Sequence, residues 1–98
     1  MATSKEYLAF ITEQLSLIDG ISFRQMMGEY IFYHHGKIAA YICDNRLLVK
    51  PVKSALALMP TARLEPPYEG AKDMLLVDNV DDREFLKTLF EQMFDELQ

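Results

Sequence analysis

The chain has 98 residues, 50% hydrophobic and 26% charged, as in one ordinary globular domain, and we expect a single domain over residues 1–98. Because Cys43 is its only cysteine, an intramolecular disulfide and a zinc site built on several thiolates are excluded. The N-terminus lacks the apolar run of a signal peptide, and no apolar stretch is long enough to cross a bilayer. A cytoplasmic protein is therefore expected.

The net charge of −5 is unevenly distributed along the chain. Residues 1–64 carry seven Lys/Arg and five Asp/Glu, whereas residues 65–98 carry three and ten. Because DNA binding depends on clustered Lys and Arg that neutralise phosphates, this acidic segment argues against autonomous DNA binding. It is typical either of a solubilising helix face or of a docking surface for a basic partner.

Both long helices have start signals in the sequence. Thr3 and Glu6 have the spacing of a capping box, and apolar residues at helical spacing then predict a first helix over 4–19. Near the C-terminus, Asp81 is the predicted N-cap, with Glu84 three residues later and a broad apolar stripe after it.

The middle of the chain has the pattern of strands. Aromatic and β-branched residues over 30–33 and 37–43, followed by 46–50, predict a three-stranded antiparallel meander. A short helix over 53–59 and a strand over 74–77 follow, with room for one strand more. The order α-β3-α-β2-α predicts an α+β fold, a two-layer sandwich with N- and C-terminal helices on the sheet.

The middle strand of the meander is apolar on both faces. One set of alternate side chains is Ile38, Ala40 and Ile42, and the other is Ala39, Tyr41 and Cys43. Since the two long helices can cover only one face, the other needs a second cover. Either loop 60–72 folds over it, or a homodimer or partner contact buries it.

Few residues are candidates for catalysis or metal binding. His34 and His35 occupy a tight turn where adjacent side chains diverge, so we predict solvated histidines without a metal. Cys43 precedes Asp44, whose charge raises the thiol pKa, and we predict a core or sheet-face residue. No nucleotide-binding, nucleophile-elbow or zinc-protease motif occurs, so neither an enzyme nor a cofactor site is predicted.

Two segments are not explained by helix or strand periodicity. Residues 24–30 place Gly28 between a methionine pair and a strand, which predicts a bulge or a close backbone approach. Residues 67–72 present Tyr68 on a stiff, proline-rich loop, a composition typical of recognition surfaces. Both segments are also compatible with a purely architectural role, as tight turns and a tyrosine laid across the sheet.

These segments resemble the N-terminal domain of TfoX/Sxy-type competence regulators. The resemblance covers Arg24-x-Met26-Met27-Gly28-Glu29-Tyr30, Tyr33, Gly36-Lys37, Leu47-x-x-Lys50, Pro67-Tyr68-x-Gly70 and Val80–Leu86. Met27 stands where the family commonly has Phe. The interaction or motif residues that it implies are Arg24, Met27, Gly28, Tyr30, Lys50, Pro67, Tyr68 and Gly70.

The resemblance also implies a fold and a role. It implies a secretion-chaperone-like sandwich and regulation of competence genes together with the cyclic-AMP receptor protein. The family's regulators carry a second, C-terminal domain, and we expect a stand-alone N-terminal domain here. The leading hypothesis is a non-enzymatic protein-interaction module that acts as a transcriptional co-regulator.

Two other functions remain open from the sequence. A direct nucleic-acid binder would use a basic strip on the sheet, formed by Arg24, Lys37, Arg46, Lys50 and Lys53. A small-molecule sensor would have its pocket between the sheet and loop 60–72, near Tyr68 and Arg24.

Overall fold

A computed structural model describes residues 3–98, which form six strands and three α-helices. In chain order the elements are α1 (Lys5–Gln14), β1 (Ile21–Met26), β2 (Glu29–His34), β3 (Lys37–Cys43), β4 (Arg46–Val49), α2 (Lys53–Leu58), β5 (Leu64–Glu65), β6 (Met74–Leu76), α3 (Arg83–Met93) and a 3₁₀ turn (Phe94–Glu96). The strands form one antiparallel sheet in the order β1-β2-β3-β4-β6-β5. The helices pack on one face of this sheet, so the predicted two-layer α+β architecture is confirmed.

The predicted element order lacks one strand, because residues 21–26 form β1. Met27 and Gly28 both have positive φ, 53° and 84°, and make the two-residue turn between β1 and β2. Of the two alternatives predicted at Gly28, the bulge is therefore wrong, whereas a close backbone approach is present, since the Thr3 N–H donates to the Gly28 carbonyl at 3.3 Å. The same pair of positive φ values recurs at 35–36 and 44–45, so three tight hairpin turns connect β1 to β4.

Both long helices begin one residue later than their capping residues predicted. Ser4 rather than Thr3 caps α1, and Asp82 rather than Asp81 caps α3, in each case by accepting the backbone N–H three residues on. The Thr3 hydroxyl instead donates to the Glu29 carboxylate at 2.7 Å. The predicted cap at Thr3 is thus replaced by a tertiary contact.

The first helix is shorter than predicted, since α1 ends at Gln14 and residues 15–20 form turns. Leu15 and Ile18 are nevertheless buried in the core, which is why their spacing looks helical in the sequence. Gly20 has φ 78°, and a Cβ added there would overlap the His35 ring. Glycine is required here both by the backbone and by the space available.

The main core lies between the helices and the sheet. Its largest fully buried side chains are Phe32, Phe90, Ile11, Leu15, Ile42, Leu47, Leu75, Leu86, Leu89, Met93 and Val49. Burying each large apolar side chain contributes roughly 1.5–3 kcal/mol.

An irregularity in β3 changes which residues share a face. Phe32 pairs with Ala40 but Tyr33 pairs with Ile38, so Ala39 is an extra residue in β3. Ala39 and Ala40 are both buried in the main core, and Ile38 lies with Tyr33 on the opposite face. The predicted grouping of Ile38 with Ala40 is therefore wrong.

Candidate functional site

The face of the sheet opposite the helices, called the open face below, is the candidate functional surface. The β-ladder registers place one row of side chains across it, and this row is Arg24, Ile31, Tyr41, Leu48 and Leu76. Residues directly opposite each other on neighbouring strands point to the same face. Apart from Arg24 at its end, the row has no formal charge.

One half of the open face is covered by the chain itself. Cys43, Leu48 and Met74 form a second buried cluster, with Tyr41 and Leu76 packed against it. Residues 65–73, called the Tyr68 loop below, lie over this half and bury Pro67. The predicted cover from loop 60–72 is thus present, but only near β4 and β6.

Arg46 holds the Tyr68 loop in place. Its Nη1 donates to Glu65 Oε1 at 2.8 Å and to the Pro66 carbonyl at 3.4 Å, and its Nη2 donates to the Pro67 carbonyl at 3.2 Å. Its Nε donates to the Cys43 carbonyl at 3.2 Å. The planar guanidinium therefore fastens the loop to the end of β3 just ahead of Tyr68.

The other half of the open face is a groove, called the groove below. It has a volume of about 600 Å³, and its walls are Met26, Met27, Glu29, Tyr30, Ile31, Tyr41, Cys43 and Tyr68. Met27 is 97% exposed at the hairpin tip, and Tyr68 is 52% exposed on the opposite side. Burial raises the pKa of the Tyr41 phenol, with the nearby Tyr68 as the next cause, so this ring is uncharged near neutral pH.

The Glu29 carboxylate fixes the end of the groove. One oxygen accepts the backbone N–H and the hydroxyl of Thr3, at 3.2 and 2.7 Å, and the other accepts the Asp44 N–H at 3.2 Å. Asn45 accepts the Ser4 N–H at 3.0 Å, which ties the start of α1 to the same corner. Glu29 thus joins the β1–β2 turn, the β3–β4 turn and the segment before α1.

The residues predicted from the motifs lie in different environments. Arg24 is on the open face beside Ile31, and Met27 and Tyr68 border the groove. Tyr30 is 7% exposed in the main core, and Pro67 is buried under its loop. Gly28 and Gly70 adopt positive φ. Lys50 follows β4, and its backbone N–H donates to the Ala39 carbonyl.

The basic strip considered for nucleic-acid binding is divided between the two layers. Lys37 lies on the helix side, where its Nζ is 4.3 Å from the centre of the Phe94 ring. Lys53 is the first residue of α2 in the helix layer, whereas Arg24 and Arg46 belong to the open face. Because Arg46 is bonded to the Tyr68 loop, these cations do not form one phosphate-binding surface.

Cys43 and the two histidines have settings that differ in part from those predicted. Cys43 is buried as predicted, and burial, followed by the nearby Glu29 charge, raises its thiol pKa to about 11. His34 is not a solvated turn residue, because it is 4% exposed and stacks on His35. Burial, followed by the His35 charge, lowers the His34 pKa. Within residues 3–98, no three His, Cys, Asp or Glu side chains come together to hold a metal ion.

The model of the TfoX N-terminal domain matches residues 13–94. The chain belongs to the TfoX N-terminal domain family. This family is associated with competence regulation, and its motif residues Met27 and Tyr68 in this chain are exposed at the border of the groove.

A similar protein from Spirochaeta aurantia is described as an uncharacterized 12.7 kDa protein in the trpE 5′ region. It is 35% identical over 80 residues, which span 82% of this TfoX N-terminal domain chain and 70% of the relative. No solved structure matches the chain. Among the helices of the described residues, none has the length and apolar character needed to span a membrane.

Proposed function

We propose that this domain is a non-enzymatic protein-interaction module that binds an apolar segment of a partner protein in the groove. Its role would be that of a transcriptional co-regulator of the competence type. The observation that carries the proposal is the apolar groove between the exposed side chains of Met27 and Tyr68. Membership of a family associated with competence regulation supports the co-regulator role.

The walls of the groove have the character of a protein-binding surface. Tyrosine and methionine are enriched in interface cores, and charged residues are depleted there. Glu29, the charged wall residue, already accepts bonds from Thr3 and Asp44. Because Arg46 and Glu29 hold the two sides of the groove in place, a partner would lose little affinity to the ordering of loops.

The chemistry of the groove favours binding over catalysis. The Cys43 thiol keeps its proton up to a pH of about 11, and the pKa of the Tyr41 phenol is also raised. A nucleophile or general base active near neutral pH needs a pKa close to that pH. These two groups therefore offer neither function.

The first candidate partner is the cyclic-AMP receptor protein of the same organism, as the family resemblance implies. We expect the purified receptor to bind the domain in a calorimetric titration, and Tyr68→Ala to weaken binding by about tenfold or more, as truncation of an interface aromatic does. Leu56→Ala is the matched control, since Leu56 is also a half-exposed apolar residue but lies on α2.

Three outcomes would contradict the proposal. If the Tyr68→Ala domain binds as tightly as the wild type, or if both variants weaken binding equally, the groove is not the binding site. A labelled promoter duplex that binds the domain alone at low salt would instead favour direct nucleic-acid recognition.

A further inference from the structure

The β1 edge of the sheet is long and unprotected. The sheet ends at β1 on one side and at β5 on the other, and β5 has only two residues. β1 has six residues without proline, and its register with β2 is unbroken from Ile21↔His34 to Met26↔Glu29. Five of its six residues are exposed. Native sheets usually block such an edge with proline, bulges or several charges, whereas β1 carries one charge, Arg24.

The hairpin geometry determines which backbone groups of β1 face outward. A two-residue turn makes its flanking residues, Met26 and Glu29, a pair that exchanges both hydrogen bonds. Counting back by two from Met26, the backbone groups of Arg24 and Ser22 also face β2. Gly20 continues this series, because its carbonyl accepts the His35 N–H at 2.8 Å. The outward-facing backbone groups therefore belong to Ile21, Phe23 and Gln25.

This outward-facing set is symmetric about Phe23, which identifies the strand that fits it best. An antiparallel copy of β1, with Phe23 opposite Phe23, places Ile21 opposite Gln25 in both directions. Every outward N–H of one copy then finds a carbonyl of the other. A shift of the register by one residue places each outward-facing residue opposite one whose backbone groups face β2. A shift by two leaves some of the outward-facing N–H and carbonyl groups unpaired.

We propose that two copies of this chain associate through β1 in this register, forming one continuous antiparallel sheet across the dimer. The inference does not depend on the proposed function, because the groove reaches β1 only at Met26, whose backbone faces β2 and not the junction.

The helix next to this edge has a surface that suits the same symmetry. Thr3 bonds to the β1–β2 turn, so α1 starts beside the end of β1 and runs antiparallel to it. Lys5, Ala9 and Glu13 lie on the side of α1 that shares a cavity of about 490 Å³ with Phe23. A two-fold axis through Phe23 passes near Ala9, whose small side chain permits close approach.

The charges on α1 are complementary under this symmetry. Lys5 and Glu13 are each four residues from Ala9, so Lys5 of one copy faces Glu13 of the other, and the reverse. Glu13 also pairs with Arg83 of its own chain at 3.4 Å, but its side chain is 70% exposed and has a second oxygen for Lys5. On the open face, the same register sets Arg24 opposite Ser22 of the second copy rather than opposite a second Arg24. No two like charges therefore lie directly opposite each other across the β1 junction.

Sedimentation equilibrium of the full chain tests the association. We expect a species of twice 11.3 kDa that dissociates on dilution. Lys5→Glu should weaken the dimer because it places two acidic side chains together, and adding Glu13→Lys should restore it. A monomer at concentrations up to about 100 µM, where even weak dimers form, would overturn the proposal. A dimer that Lys5→Glu leaves unchanged would also overturn it.

Amide hydrogen exchange measured by NMR tests the register in the unmodified protein. In the dimer the amides of Ile21, Phe23 and Gln25 should exchange at least about tenfold more slowly than in the diluted monomer. The amides of Ser22 and Arg24 face β2 and should be protected at both concentrations. Equal exchange of the outward amides at high and low concentration would overturn the β1 junction, whatever the oligomeric state.

Discussion

Removing the Arg46 side chain should destabilise the domain and release the Tyr68 loop. In Arg46→Ala the carbonyls of Pro66 and Pro67 lose their donor, and the Glu65 carboxylate loses its ion pair. The Cys43 carbonyl at the end of β3 loses a bond as well. Arg46 donates all four of these hydrogen bonds, so one substitution removes them together.

The size of the effect follows from the exposure of the groups. The Arg46 and Glu65 side chains are 24% and 27% exposed, so the ion pair is partly screened by solvent and counts for less than a buried one. Hydrogen bonds to charged groups contribute about 1.5–3 kcal/mol when well formed, but three of these bonds are 3.2 Å or longer, so we expect a loss of about 2–3 kcal/mol in total. For a chain of this size, that corresponds to a fall in Tm of roughly 10–20 °C.

Thermal and urea unfolding followed by circular dichroism measures this loss. Lys72→Ala is the matched control, because it removes one positive charge from the same loop at an exposed position and should change stability by less than about 0.5 kcal/mol. Arg46→Lys keeps the charge but not the fork of donors, so it should fall between the two. If Arg46→Ala were as stable as the Lys72→Ala control, Arg46 would not hold the Tyr68 loop on the sheet. The same would follow if hydrogen exchange of the Ala71 amide, which bonds to the Tyr68 carbonyl, were unchanged in Arg46→Ala.

Three further predictions concern Cys43, His34 and Gly20. A rise of the Cys43 pKa from 9.0 to about 11 should slow its alkylation by iodoacetamide at pH 8 by about a hundredfold relative to the unfolded chain, as mass spectrometry can measure. Because the His34 pKa is lowered on folding, the unfolded chain takes up a proton that the folded chain does not. Stability should therefore fall as the pH drops below about 6.5, by at most about 1.4 kcal/mol per pH unit, and less so in His34→Gln. Gly20→Ala should cost about 3 kcal/mol, because the new Cβ meets the His35 ring, whereas Gly70→Ala, also at positive φ but in open space, should cost about 1 kcal/mol.

Each of these three has a clear contrary result. Alkylation of native Cys43 at the unfolded rate would mean that the thiol is accessible. Identical pH profiles of urea unfolding for the wild type and His34→Gln would mean that His34 is not titrating differently in the two states. Equal losses of stability in Gly20→Ala and Gly70→Ala would mean that only the positive φ matters and that the contact with the His35 ring costs nothing.

The strands and helices with strong local signals could be predicted from the sequence. The strand at 37–43 and the helices near both termini follow from local periodicity and capping residues, which act over a few positions. The sequence does not predict β1, because Ser22, Arg24 and Gln25 give it a weak strand pattern. It forms because the turn at Met27 and Gly28 brings β2 back beside it, so that pairing with β2 outweighs the weak strand propensity of β1.

The candidate site could be predicted only in part. Met27 and Tyr68 were identified from motifs and do border the groove, but Tyr30 from the same motif is buried in the main core. Arg46 was assigned to a basic strip, because its partners at Glu65 and Pro67 lie about twenty residues away and leave no periodic trace. One extra residue in a strand reverses the faces after it, which is how Ile38 was misplaced.

Site-specific photo-crosslinking in the native cell identifies the molecule that lies against the groove. A photoreactive phenylalanine analogue would replace Tyr68, and the same analogue at the exposed Gln92 on α3 would serve as the control. We expect a crosslink from position 68 to one defined protein, identified by mass spectrometry, that position 92 does not give. Crosslinks from position 68 to nucleic acid, or the same products from both positions, would contradict it.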